Sequence, residues 1–141
     1  MLDLLFSKIV RDFLDTEESH AAGVPASTDC ALLRMDSGED DVDPRICIVA
    51  DEQGGNRQKQ IHVVAVCRGT KLRSITDPWL DKVKDRLYNQ TALLAFIAAL
   101  PIDQRTGYQI ERISPPGAAK VQREENGPIE TGVGIIFFVT I

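Results

Sequence analysis

Histidine, cysteine and aromatic residues are all scarce in this chain, and each scarcity removes a class of chemistry. There are two histidines, His20 and His62. No HExxH or other two-histidine metal spacing is present, and no GxSxG turn anchors a Ser–His–Asp arrangement. His62 therefore reads as a sheet-surface side chain and not as a catalytic base. Cysteines number three, at positions 30, 47 and 67. The odd count, the absence of CxxC and the spacings exclude a paired disulfide framework and the known zinc patterns. Cys47 and Cys67 stand inside apolar runs (RICIVA and HVVAVCR), as buried free thiols of a reducing compartment do. Aromatic residues make up 6% of the chain. None is interleaved with the basic cluster Arg68, Lys71 and Arg73, so no stacking platform for single-stranded nucleic acid is offered there. There is no GxxxxGK[ST] phosphate loop. The longest strongly apolar stretch, Ala92–Leu100, falls far short of the ~20 residues a spanning helix needs. Asp3, Lys8, Arg11 and Asp12 interrupt the N-terminal apolar pattern, so no signal peptide is expected.

What is present is an average globular composition over 141 residues, 43% hydrophobic and 26% charged. A single domain, residues 1–141, with a core that needs neither disulfides nor metal, is the expectation. The net charge is −5, and its distribution says more than its sum. Residues 1–56 hold 13 acids and 4 bases, whereas residues 57–141 hold 8 acids and 12 bases. A net-acidic protein is a poor general nucleic-acid binder, because phosphate neutralisation drives that affinity. Opposed halves either attract each other between copies or are simply two solvated charge sets. Asp36, Glu39, Asp40, Asp41 and Asp43 crowd one short segment. Their spacing misses the calcium loop, which needs ligands at alternate positions around a central Gly and a closing Glu. The segment reads as a solvated acidic turn or a protein-facing patch. Asp40, Asp41, Arg68, Lys71 and Arg73 are the candidate subunit- or partner-interface residues. No catalytic, cofactor-binding or metal-binding residue is expected.

Periodicity sets the elements. Leu2, Leu5, Phe6, Ile9, Val10, Phe13 and Leu14 recur at steps of three and four, one stripe of an amphipathic helix over about 2–16. Such a helix cannot stand alone and must lie on a sheet or another helix. Residues 17–29 read as a loop, 30–35 as a short strand and 36–43 as an acidic turn. Pro44 leads into a strand at 46–50. Gly54-Gly55 marks a hairpin turn, since glycine takes positive φ without steric cost. A long strand over 58–68 follows. Ile61, Val63, Ala65 and Cys67 form an apolar face, while Gln60, His62, Val64 and Val66 turn from polar to apolar along the other. After a connection at 68–76, Asp77-Pro78 has the chemistry of a helix start. Trp79, Leu80, Val83, Leu87 and Tyr88 make its inner stripe. Thr91 is placed to cap a second, short apolar helix over 92–100. A strand at 107–114 precedes a polar Pro/Gly-rich stretch, 115–127, expected to be a mobile excursion. The chain closes on a long strand over 129–141, with Val133, Ile135, Phe137 and Val139 on one face and Gly132, Gly134, Ile136 and Phe138 on the other. A terminal strand this apolar must sit inside a sheet or against a partner.

Runs of strands broken by helices indicate an α+β fold: a mostly antiparallel sheet of about four to five strands, with the N-terminal helix and two central helices packed on one face. In order and length the elements resemble the tail terminator (tail completion) proteins of long-tailed bacteriophages and prophages. The likeness is carried by LDLLFSKIVRDFL, DPRICIVADEQ, RQKQIHVVAVCRG, DPWLDKVKDRLYN, ALLAFIAAL, GYQIERI and TGVGIIFFVTI, and it spans nearly the whole chain. It is a likeness of pattern and not of a diagnostic motif, and the plan is shared with tail tube and neck proteins. The stretch 115–127 is longer than the family's hairpin. The resemblance implies a ring of copies, usually a hexamer, that docks on a finished tail tube. There it stops tube polymerisation and meets the head–tail connector or neck protein. It implies a virion-tail location after assembly in the host cytoplasm, with no catalysis, cofactor, membrane or sequence-specific nucleic acid.

Two other readings compete. A small-molecule-binding or sensory α+β module of a bacterium would need an apolar concave pocket with a few converging polar groups, for which Trp79 and His62 are the wall candidates. An enzyme working with scattered carboxylates is the weaker alternative, given two histidines and no motif.

Overall fold

The hydrophobic stripe of the first helix and the alternating faces of three long strands meet in one core in the computed structural model, which describes residues 2–26, 31–34, 44–69, 73–122 and 125–141. Helices α1 (Leu2–Leu14) and α2 (Glu17–Ala21) lead to strands β1 (Ala31–Arg34), β2 (Arg45–Gly54) and β3 (Gln58–Arg68). Helices α3 (Arg73–Tyr88) and α4 (Gln90–Ala98) follow, then β4 (Gln109–Ile113), β5 (Gly117–Gln122) and β6 (Ile129–Thr140). Among the described residues six strands form one sheet, ordered β1-β2-β3-β6-β4, with β5 also paired to β6. Every pairing is antiparallel except the parallel β1–β2. The fold is α+β, a mostly antiparallel sheet with the N-terminal and central helices packed on it.

The covered face follows from period. Phe6, Ile9, Val10, Phe13 and Leu14 of α1 are buried against Ile46 and Ile48 of β2, Ile61 and Val63 of β3, and Ile135, Phe137 and Val139 of β6. Phe6 sits at the centre, tilted on Phe137 with centroids 4.6 Å apart and edge-on to Tyr108 at 5.1 Å. The opposite side of α1 carries the ion pairs Lys8–Asp12 and Arg11–Asp15. Val83 and Leu87 of α3 and Leu93 and Ile97 of α4 complete the layer, with Trp79 and Leu80 half-buried beside them. Tyr88, expected on that stripe, points to solvent.

Several local expectations are corrected. Residues 17–21 are helical and not loop. The Thr16 side chain accepts the Ser19 amide, and Glu17 and Glu18 occupy the first turn, where carboxylates suit the helix dipole. The strand expected at 46–50 runs on to Gly54, where φ of +115° opens the hairpin turn. Its extension pairs residue for residue with β3, and Lys59 reaches Glu52 at 3.7 Å.

Helix α3 begins at Arg73 and not at Asp77, so Pro78 lies inside it. Thr76 is buried at this end, its carbonyl 3.8 Å from the Cys67 Sγ. Thr76 is the one buried residue of this first turn, and the bond that Pro78 cannot donate would have had its acceptor on exposed Ser74. Asp77, freed from capping, faces Arg73 at 3.9 Å. The cap of α4 is Asn89, whose side chain accepts the Ala92 amide, and not Thr91. The stretch 115–127 is not simply an excursion, because 117–122 forms β5 on the edge of β6. The acidic turn 36–43 lies outside the described residues. No helix among the described residues is long and apolar enough to cross a membrane.

Candidate functional site: the open face of the sheet

The side chains that point away from the helices make a second face, partly covered at one end. On β3 they are His62 and Val64, half-buried, followed by buried Val66 and Arg68. The ladders set their neighbours. Val49 pairs with Val64 and Cys47 with Val66 across β2–β3, while His62 pairs with Ile136 and Val64 with Gly134 across β3–β6. The result is an apolar row with no helix over it among the described residues. Phe138 extends the row and lies under the guanidinium of Arg112, 3.7 Å from the ring centroid. This cation–π contact is set by a register shift in β4, which skips Glu111 and brings Arg112 opposite Phe138. Glu111 then accepts the Thr140 hydroxyl at 2.9 Å.

The face is concave because β6 and β5 leave the plane of β3 together. The β3–β6 register ends at Ala65↔Val133, yet β6 stays paired with β5 down to Gln122↔Ile129. Gly132 marks the departure. A Cβ there would run into the Ala65 carbonyl oxygen, so only glycine lets the strand pass. The β5–β6 arm comes to face β2 and β3 across a cavity of about 470 Å³. Val49, His62 and Val64 line its floor, and Ala119 and Val121 its wall.

Arg68 and Glu130 fasten the root of this arm. Glu130 accepts from the Arg68 Nε at 2.9 and 3.2 Å and from Nη2 at 2.9 Å, a forked charge-assisted pair. The Arg68 side chain is 4% exposed. Arg45 stands opposite it in the ladder and is buried as well.

The expected interface residues divide accordingly. Arg68 and Arg73 do border one cleft, of about 260 Å³, beside Thr76 and Glu130. Within it Arg68 is turned inward to Glu130, while Arg73 stays exposed at the start of α3. Asp40, Asp41 and Lys71 lie outside the described residues. The arm and the Arg68–Glu130 pair were missed in the sequence. Their only local signal is the alternation of Ala119 and Val121, which is weak among small and polar neighbours.

The Nε2 of His62 lies 3.3 Å from the Gln60 side-chain oxygen, and the Asp51 carboxylate, opposite His62 in the ladder, accepts from Gln53. Trp79, the other wall candidate for a ligand pocket, packs against the helix-covered core and not on this face. Among the described residues no group of three or more His, Cys, Asp or Glu side chains could hold a metal ion. Burial raises the Tyr108 hydroxyl above the ordinary tyrosine value, but this ring is packed on Phe6 in the covered core. The charge asymmetry of the two halves does not map onto the strands, since Arg34 and Arg45 offset Asp51 and Glu52 within β1 and β2. No family model matches the chain, and no curated protein matches it.

Proposed function

We propose that this chain is a structural, non-enzymatic subunit that acts by packing against copies of itself, as a ring on a phage or prophage tail tube. In that role it ends tube polymerisation and meets the head–tail connector. The observation that carries the reading is the apolar face of Val49, Val64, Ile136 and Phe138, which no helix among the described residues covers. A sheet protein of this size ordinarily covers such a face or uses it for contact. A ring needs different patches on the two flanks of each subunit, and the acidic first half and basic second half of the sequence are of the kind that attract each other between copies. Self-assembly at the virion tail, probed with tail tube protein, gives the test. Added to polymerising tubes, the chain should shorten them and appear at one end in electron micrographs. Tubes of unchanged length with no bound chain would reject the role.

The cavity beneath the arm favours a second reading, a small-molecule-binding module, because Val49, Val64 and Val121 line it together with the polar groups of Asp51, His62 and Lys120. A ligand-dependent rise in melting temperature that Val64→Trp abolishes would support it over the ring.

A further inference from the structure

We propose that α4 is the surface that seats on the open face of the next copy, with Leu94 entering beside Val64 and Ile136 and Asp103 meeting Arg112. This rests on the self-packing reading above and names its second surface. A helix on the outside of a protein ordinarily turns a charged side to water, and one that is apolar all round is a buried helix. Helices α1 and α3 follow that rule. Lys8, Arg11 and Asp12 line the outer side of α1, and Asp77, Asp81 and Asp85 that of α3. Helix α4 does not. No charged residue occurs from Asn89 to Ile102. Leu93 and Ile97 point into the core, yet Leu94 is 43% exposed, Ala95 and Ala98 are exposed with it, and Ile102 beyond the helix is 67% exposed. The stretches outside the described residues are short or acidic and hold no apolar run to cover this side.

The open face is the matching surface. Both patches are apolar, and they lie on opposite sides of one sheet. Their contact is therefore head-to-tail and repeats from copy to copy, as a ring requires. Pairing α4 with α4 would instead close two copies and leave the sheet face bare. The dimensions agree. The nine residues of α4 span ~14 Å, and Gly134 to Phe138 along β6 also spans ~14 Å. The charges agree as well. Asp103 follows the C-terminal end of α4 and pairs with no cation among the described residues. Arg112 stands over Phe138 at the end of the apolar row and pairs with no carboxylate among them. Arg105, the other charge near that end of α4, is folded onto the Leu100 carbonyl at 2.9 Å.

Sedimentation of the full chain over a range of concentrations, alone and with tail tubes, tests this. Leu94→Glu puts a charge into the contact and should weaken association about tenfold or more, with the melting temperature nearly unchanged because the position is exposed. Asp103→Arg and Arg112→Asp should each weaken it about threefold, and the chain carrying both should recover the parent's association, since each contact then pairs the reversed charges. This second comparison decides the matter should Leu94→Glu fail to fold. Parent-like association of Leu94→Glu, or no recovery in the double variant, overturns the α4 contact. If Val64→Ser still dissociates the assembly in that case, the open face packs on another part of the chain and the self-packing reading survives. Dissociation by Leu94→Glu but not by Val64→Ser also overturns the contact, because α4 then meets some other surface. A parent chain that never associates removes both.

Discussion

The two faces of one sheet are built from the same strands and do opposite things. On the helix-covered face Ile61, Val63, Ile135 and Phe137 are fully enclosed, interlocked with Phe6, Ile9 and Phe13 of α1. One position along each strand, His62, Val64, Ile136 and Phe138 are half-buried, with the β5–β6 arm beside the first three and Arg112 over Phe138. A strand's period of two thus separates residues that hold the fold from residues left over for something else. On the reading proposed above, the apolar content of the second face is what further copies of the chain pack against.

Substitutions sharpen this contrast. Phe137→Ala, at the centre of the covered face, should cost about 3–5 kcal/mol in chemical denaturation, because the cavity left beside Phe6 cannot collapse. A loss below about 1 kcal/mol would mean that the covered face is not the stabilising one. Gly132→Ala acts where the arm leaves the sheet. The added methyl meets the Ala65 carbonyl, so a loss of about 1–3 kcal/mol is expected, with the arm displaced. Tyr108→Phe tests the covered face by pH. Burial holds the folded phenol neutral, so the unfolded chain ionises first as pH rises through the tyrosine range. Stability from this group is present below about pH 10 and is lost above it. The parent protein should therefore lose more stability than the Phe variant between pH 9 and 11. Val64→Ser, on the open face, should change stability by less than about 1 kcal/mol.

The covered face was legible in the sequence because its signals are local and strict. The three-and-four spacing from Leu2 to Leu14 and the alternation in 61–67 and 133–139 each have one solution. What escaped depends on distant partners. GAAKVQ has little strand preference of its own and becomes β5 because β6 offers it an edge. Asp77-Pro78 is a sound local start signal, yet the helix starts earlier, at Arg73, with Thr76 buried against Cys67. Arg68 and Glu130 are 62 positions apart, and nothing in either segment announces the other. The basic cluster at 68–73 was visible as charge. Its division into one buried and one exposed arginine is a property of the fold alone.

The central claim is that the open face packs against further copies of the chain, and the mass of the protein in solution tests it most directly. Sedimentation over a wide concentration range, alone and with tail tubes, should show a single closed species of fixed stoichiometry for the parent protein. Val64→Ser should shift that species to monomer while leaving its melting temperature nearly unchanged. A parent chain that stays monomeric at every concentration and does not associate with tubes would contradict the account.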